Sequence, residues 1–265
     1  LSWCHPKYGN YLASCSSDNT IKIWKIQPPL LFDCVYTFTK HTDIVTKCEF
    51  APYQYGAILL ATGLDDNISI HSLDLYTNQW TGEIHKKIHN KGVVSFSWAP
   101  ALPPLNFQFD FGDQNDNSNI QTSYLPMRIV TCGGDGIIKI ITIRSKEQIC
   151  IEQEISAYCQ SGPIDISWLN YVGYTENCIA LCCSDKTVKI LNSEDGNSFE
   201  LSSVIQLDED CSKVSWSNNG TYLGVTLRNN KVKIFHESID NQWEELEKIN
   251  KNNEEILGYQ NSQEG

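Results

Sequence analysis

Apolar and polar residues alternate along five short segments of the chain. The segments are residues 21–24, 68–71, 138–141, 188–191 and 232–235. A period of two with many β-branched residues predicts β-strands, because successive side chains of a strand point to opposite faces. Each segment follows a second apolar segment across a short turn. The chain therefore predicts five β-hairpins.

The five hairpins repeat one another in register. Each turn carries an acidic or amide residue, and a small residue stands three positions before it. The turn residues are Asp18, Asp65, Asp135, Asp185 and Asn229, and the small residues are Cys15, Thr62, Cys132, Cys182 and Thr226. Side chains of Asp and Asn cap tight turns and tolerate left-handed backbone. We expect the four aspartates to be structural, since copies at symmetric positions do not converge on one catalytic site.

A third apolar segment precedes each hairpin and ends in an aromatic residue. These aromatic residues are Trp3, Phe50, Trp98, Trp168 and Trp216, at intervals of 47, 48, 70 and 48 residues. The long interval contains a polar insertion at 101–126. Looser fourth segments follow at 35–38, 79–84, 149–155, 199–205 and 242–249. Four antiparallel strands every ~45 residues predict the blades of an all-β propeller.

We expect one open β-propeller over residues 1–249. The predicted blades are 1–40, 41–88, 89–157, 158–207 and 208–249, with a surface loop at 101–126 and a disordered acidic tail at 250–265. His41 and His89 stand nine residues before Phe50 and Trp98. We expect each histidine to brace a loop by bonding the turn aspartate of a blade.

Composition narrows the function. The 265 residues are 41% hydrophobic, which is ordinary for a soluble protein. The formal net charge of -12 disfavours binding to phosphate backbones and anionic membranes. No stretch approaches ~18 uncharged apolar residues. The chain begins at Leu1 inside a strand pattern, so we expect it to be a piece of a longer polypeptide.

The cysteines indicate packing rather than chemistry. There are eleven, an odd number, and no Cys-x-x-Cys occurs. A position that takes either Cys or Thr favours a compact side chain in a packed strand, so we expect structural thiols and a reducing compartment. The six histidines show no ligand spacing either. We expect no catalysis, no cofactor and no metal.

The order of His before the first strand, Asp in the turn and Trp24 at the end of the third strand resembles the WD-repeat family. A narrower resemblance extends from residue 1 to about 249. Segments 3–16, 50–59, 97–101 and 230–243 resemble the second, third, fourth and last blades of the small WD-repeat subunit of the COPII outer coat.

This resemblance implies an open propeller of six blades, one of which precedes the present sequence. It implies a larger COPII cage subunit, with a helical solenoid, that donates a blade, and a role in ER-to-Golgi transport on ER exit sites and vesicles. It also implies a nucleoporin partner in the nuclear pore scaffold, and a complex on the vacuole or lysosome. From the acidic charge and the lack of a long apolar stretch, we expect neither direct nucleic-acid binding nor membrane insertion.

An open ring leaves one apolar blade face and unpaired strand edges, which a partner must cover. We expect the last blade to present this face through Val214, Trp216, Leu223, Val225, Val232, Ile234 and Trp243. About half of them should point toward the preceding blade, because alternate residues take opposite faces, and the sequence leaves open which half. The alternative function is a generic WD-repeat adaptor, such as a ubiquitin-ligase substrate receptor. The 20 Lys and Arg form no cluster, which weighs against it.

Overall fold

The computed structural model describes residues 1–101, 127–156, 158, 162–170, 177–196, 198–238, 240 and 242–246. The predicted surface loop at 101–126 lies outside the described residues except for Ala101. The predicted tail at 250–265 lies outside them entirely.

The described residues form five four-stranded antiparallel sheets, each built from consecutive strands. Sheet 1 contains β1 (Ser2–Trp3), β2 (Tyr11–Cys15), β3 (Ile21–Gln27) and β4 (Leu31–Phe38). Sheet 2 contains β5 (Val45–Phe50), β6 (Ile58–Gly63), β7 (Ile68–Asp74) and β8 (Gln79–His85). Sheet 3 contains β9 (Val93–Trp98), β10 (Met127–Gly133), β11 (Ile138–Ile143) and β12 (Ile149–Ile155).

Sheet 4 contains β13 (Pro163–Trp168), β14 (Asn177–Cys183), β15 (Thr187–Ser193) and β16 (Glu200–Gln206). Sheet 5 contains β17 (Cys211–Trp216), β18 (Tyr222–Leu227), β19 (Val232–Glu237) and β20 (Trp243–Glu245). Two 3₁₀ turns, Pro6–Tyr8 and Tyr53–Tyr55, lie between the first two strands of sheets 1 and 2. The prediction of an all-β propeller is confirmed.

The hairpin between the second and third strands depends on its turn residue. Asp18 Oδ1 accepts a hydrogen bond from the backbone N–H of Thr20 at 3.0 Å. The turn residues of the other sheets accept the equivalent bond two residues on. The residue after Asp18, Asn19, has a φ of 65°. Amide and carboxylate side chains thus satisfy the turn backbone where the chain must enter the left-handed region.

The hydrophobic core is divided among the four seams where one sheet packs on the next. Two apolar positions of the third strand recur in each seam and face the following sheet. They are Ile21 and Ile23, Ile68 and Ile70, Ile138 and Ile140, and Val188 and Ile190, all at most 1% exposed. Complete burial of such a side chain contributes about 1.5–3 kcal/mol, so the seams hold the stack together.

One covalent link crosses a seam. Cys182 of β14 and Cys211 of β17 form a disulfide, with Cα atoms 6.3 Å apart, that joins sheets 4 and 5. The expectation that the cysteines are structural thiols is wrong for this pair. The two residues are 29 positions apart in the chain. They meet only because neighbouring sheets stack face to face, which no spacing motif records.

Candidate partner interface

Val232 and Ile234 of β19 occupy repeat positions that are buried in every other sheet. Their counterparts Val188 and Ile190 pack against sheet 5. Val232 and Ile234 are instead 61% and 45% exposed. The change in exposure follows from position in the stack, since no sheet in the described part of the chain lies on the far side of sheet 5.

Strand register shows what else lies on this side of sheet 5. Val232 lies opposite Thr226, Ile234 opposite Gly224, and His236 opposite Tyr222. Directly opposed residues of an antiparallel pair share a face. Leu246 follows in the same register, since its N–H donates to the carbonyl of Ile234 at 2.8 Å. The residues Tyr222, Val232, Ile234 and Leu246 are all exposed, and we call them the fifth-sheet face.

Polar residues border the fifth-sheet face. Lys213 lies opposite Thr226 on the β17 side, and Glu244 lies opposite His236 on the β20 side. An apolar centre with a polar border is the usual organisation of a protein–protein interface. The fifth-sheet face therefore has the make-up of a docking surface for another protein.

Five of the seven residues predicted for this face lie on the other side of sheet 5. Val214, Leu223 and Val225 are at most 5% exposed and belong to the cluster between sheets 4 and 5. The indole rings of Trp216 and Trp243 meet edge to face, with centroids 5.6 Å apart, and pack against the same cluster.

Alternation along the strands explains this division, because β18 turns its odd-numbered residues toward sheet 4. Only Val232 and Ile234 remain from the predicted set. Sequence reasoning missed Tyr222 and Leu246. Aligning β19 with the four buried copies would have identified the outward positions of that strand, but Leu246 lies beyond the last regular strand and carries no such signal.

The opposite end of the stack is also apolar. Trp3, Leu12 and Trp24 lie side by side across β1, β2 and β3, and we call them the first-sheet face. In sheets 2 to 4 the aromatic residue that ends the first strand packs against the preceding sheet and is at most 8% exposed. Trp3 is 62% exposed, because no sheet of the described chain precedes sheet 1.

Two of the predicted structural residues, His41 and Asp65, belong to a buried hydrogen-bond network in sheet 2. His41 Nδ1 is hydrogen-bonded to Asp65 at 3.0 Å, and His41 Nε2 to Ser69 Oγ at 2.9 Å. Ser69 Oγ also contacts His71 Nε2 at 2.9 Å, and His71 Nδ1 reaches the hydroxyl of Tyr36 in sheet 1 at 3.2 Å. This hydrogen-bond network therefore links the loop before β5, the turn between β6 and β7, and the neighbouring sheet 1.

Burial and hydrogen bonds determine the protonation states of His71 and Asp65 in this network. Removal from water, with the nearby charges of His41 and Lys40 adding to it, lowers the pKa of His71 to about 3. Burial alone would raise the pKa of Asp65. Hydrogen bonds from Thr42, Asn67 and His41 outweigh it and hold that pKa below its ordinary value. An ionised aspartate and a neutral His71 suit a structural brace.

Sheet 3 repeats part of this arrangement, and the hydrogen bonds described for sheets 1 and 4 are different. His89 is hydrogen-bonded to Asp135 at 3.0 Å and to Thr131 at 3.0 Å. In sheet 1, Trp24 Nε1 donates to Ser14 Oγ at 2.9 Å. Asp185 of sheet 4 accepts from the backbone of Thr187 and is 3.3 Å from the ammonium of a lysine four residues on. The turn aspartates thus share one capping role.

The first strands of sheets 2 to 5 line a cavity of about 580 Å³. Glu49, Ser97, Ser167 and Ser215 are among its lining residues. Among the described residues, no group of three or more His, Cys, Asp or Glu side chains could hold a metal ion. No helix found in the same part of the chain is long and apolar enough to cross a membrane.

Comparison with known proteins places this geometry in a family. The family model "WD domain, G-beta repeat" matches residues 1–25. The Drosophila melanogaster "Protein SEC13 homolog" is 28% identical over 244 residues, which cover 92% of this chain and 66% of that protein. "Protein transport protein sec13" of Emericella nidulans is 30% identical over 258 residues, covering 94% of this chain and 79% of that protein.

A further relative, "Protein transport protein sec13" of Aspergillus clavatus, is 30% identical over 259 residues, covering 94% of this chain and 83% of that protein. The similarity therefore extends over all five sheets rather than over one repeat. The chain belongs to the Sec13 family of WD-repeat β-propeller proteins.

Proposed function

We propose that the protein is a non-catalytic scaffold of the COPII vesicle coat in ER-to-Golgi transport. Its fifth-sheet face receives a blade donated by a larger cage subunit. The observation that carries the proposal is the exposure of Val232 and Ile234 at positions that every other sheet buries. The names of the relatives, which describe protein transport proteins, support the pathway.

A donated blade would repeat the contact that the chain already makes four times. In each seam, the second and third strands of one sheet pack their apolar residues against the next sheet. Burial of four partly exposed apolar side chains contributes on the order of 5 kcal/mol before the entropic costs of association. Main-chain pairing at sheet edges would add affinity.

The same face would serve a nucleoporin in the nuclear pore scaffold. One face accepts one blade at a time, so coat and pore partners exclude each other. The protein would then be present at the cytoplasmic face of ER exit sites and COPII vesicles and also at the nuclear envelope.

The adaptor alternative has weaker support. A peptide-binding propeller needs a recognition surface around its axis, and a basic one for acidic peptides. A second cavity, which shares Ser97, Ser167 and Ser215 with the first, is lined by Lys47 and Lys213 but also by Glu49 and Asp165. The charges balance, and the axis therefore offers no preference for an acidic ligand.

Co-expression tests the proposal. The chain is produced alone or together with the larger COPII cage subunit, and binding is measured by affinity capture and size-exclusion chromatography. We expect the chain alone to aggregate and the partner to rescue it. The double variant Val232→Glu/Ile234→Glu should lose capture of the partner.

The matched control is Leu75→Glu/Tyr76→Glu. It places the same two charges on exposed apolar residues between β7 and β8, away from the fifth-sheet face. The control should bind the cage subunit as the unmodified chain does. The proposal would be contradicted if the double variant captured the partner as well as the unmodified chain does. It would also be contradicted if the unmodified chain were monodisperse alone and did not bind the partner.

A further inference from the structure

The small-residue position of the second strand faces a seam. Cys15, Cys132 and Cys182 occupy this position in sheets 1, 3 and 4, opposite Ile21, Ile138 and Val188 of the third strands. In these sheets it points toward the following sheet. Cys182 meets Cys211 on the first strand of sheet 5, and the two are joined by the disulfide already described.

The seam between sheets 1 and 2 also brings two cysteines together, here as free thiols and at a different pair of positions. Cys15 is the counterpart of Cys182, but the counterpart of Cys211 is Val45, and Cys48 lies three residues further along β5. Cys15 at the end of β2 packs on the cluster that contains Cys48 of β5. The strands are held together there, because Val45 N–H of β5 donates to the carbonyl of Ser16 at 3.4 Å. The two thiols are neighbours in this cluster, and each shifts the pKa of the other.

The seam between sheets 3 and 4 provides a natural contrast. Cys132 is fully buried at the same repeat position. The strand that faces it, β13, has the sequence Pro-Ile-Asp-Ile-Ser-Trp and contains no cysteine. Cys132 therefore has no first-strand thiol with which to form a disulfide.

We propose that Cys15 and Cys48 form a redox-active dithiol that closes to a second inter-sheet disulfide when the protein meets a small oxidised disulfide such as glutathione disulfide. The two cross-links would then occupy the two terminal seams of the stack. Among the described sheets, sheets 1 and 5 each have one neighbour instead of two. A covalent link stabilises them where packing holds them least.

The two cysteines differ in a way that assigns the order of steps. Cys15 is half-buried, and the hydrogen bond from Cys48 lowers its pKa to about 7 despite burial. The same hydrogen bond and burial raise the pKa of Cys48. A partly accessible thiolate beside a buried thiol is the usual pair of attacking and resolving cysteines.

The reaction is two thiol–disulfide exchanges. The Cys15 thiolate attacks one sulfur of glutathione disulfide, the glutathione S–S bond breaks, and one glutathione leaves as a thiolate that takes up a proton. Cys48 loses its proton and attacks the Cys15 sulfur of the mixed disulfide, which releases the second glutathione. The protein loses two electrons and two protons, and glutathione disulfide is reduced to two glutathione molecules.

Mass spectrometry tests the proposal on the full chain. The protein is equilibrated in buffers from fully reduced to fully oxidised glutathione, its free thiols are alkylated, and proteolytic peptides are identified. We expect a cross-linked peptide containing Cys15 and Cys48 to appear toward the oxidised end of the series. In Cys48→Ser, Cys15 should instead carry glutathione, because the resolving thiol is missing.

Cys132→Ser is the matched control and should leave the Cys15–Cys48 cross-link unchanged. A second measurement uses the background Cys182→Thr/Cys211→Ala, which lacks the other disulfide. There, oxidation should raise the melting temperature by several degrees, and Cys15→Ser should abolish that rise. Cys15 and Cys48 that remain separately alkylatable in fully oxidised buffer would overturn the proposal.

Discussion

Val188 of β15 and Val232 of β19 hold the same place in neighbouring sheets, yet the first is fully buried and the second is 61% exposed. Their local sequences are nearly alike, since both begin a Val-Lys-Ile segment. The difference lies in what stands in front of them. Sheet 5 covers Val188, and no described residue covers Val232.

Substitution of these two valines by a charged residue should have opposite consequences. Val188→Glu places an unpaired carboxylate inside a seam and should destabilise the protein by more than about 4 kcal/mol. Val232→Glu exposes the charge to water and should change the free energy of unfolding by less than about 0.5 kcal/mol. Urea unfolding followed by circular dichroism measures both. Equal losses would show that Val232 is covered in solution.

The fifth-sheet face should also govern self-association. An exposed apolar face beside unpaired strand edges promotes aggregation, so Val232→Glu/Ile234→Glu should stay monodisperse at higher concentrations than the unmodified chain. Dynamic light scattering across a concentration series gives the measurement. Leu75→Glu/Tyr76→Glu adds the same two exposed charges elsewhere and should improve solubility much less. An equal gain from both would assign the effect to net charge alone.

The buried pair of His41 and Asp65 should contribute strongly to stability. Their side chains are 0% and 1% exposed, so His41→Ala would leave a buried carboxylate without its imidazole partner. We expect a loss of about 2–4 kcal/mol. Asp18→Asn is the matched control, because that turn residue is exposed and its cap needs only one acceptor oxygen. A loss below about 1 kcal/mol for His41→Ala would contradict the assigned role.

Stability should fall as the pH falls below about 6.5, the ordinary pKa of a histidine exposed to water. The pKa of His71 is about 3 in the folded protein, so between these two values the unfolded chain binds a proton at this residue and the folded chain does not. The loss can reach about 1 kcal/mol per pH unit in this window. The lowered pKa of His89 acts in the same direction. Asp65 and Asp135, whose pKa values are lowered, add losses only below about pH 4.

His71→Gln tests the assignment, because glutamine can hydrogen-bond but does not titrate. Urea unfolding between about pH 7.5 and 4.5, which spans the expected window, should show a shallower decline for the variant than for the unmodified chain. The test depends on the slope of the free energy of unfolding against pH and not on the absolute stability of the variant. Identical slopes would place the titrating group elsewhere.

Reduction of the Cys182–Cys211 disulfide should destabilise sheet 5. The bond closes a loop of 29 residues, and release of that constraint from the unfolded chain costs about 3–4 kcal/mol. Cys182→Thr/Cys211→Ala should melt at a lower temperature than the oxidised chain, because threonine already fills this position in sheets 2 and 5. In a Cys15→Ser background, which cannot form the proposed Cys15–Cys48 link, a reductant should lower the melting temperature of the chain that keeps Cys182 and Cys211 but not of Cys182→Thr/Cys211→Ala.

The sequence predicted the hairpins well because they depend on local chemistry. A turn such as Asp65–Asn67 needs only a short acceptor and a left-handed residue, and both are visible in the sequence. The His41–Asp65 contact was also accessible, since the histidine recurs nine residues before the aromatic residue of the first strand and the aspartate recurs in the hairpin turn. The role of His71 was not, because a buried histidine in a strand has no pattern that distinguishes it from any other residue.

The sequence by itself determined the repeating unit: four strands, the turn residues that join them, and the alternation that gives each sheet two apolar faces. Only the tertiary structure decided which face of sheet 5 is open among the described residues, which cysteines meet across a seam, and that no described sheet covers Trp3 at the other end. The physical reason is that strand patterns record how a side chain leaves its own backbone. What lies opposite it depends on how whole sheets stack.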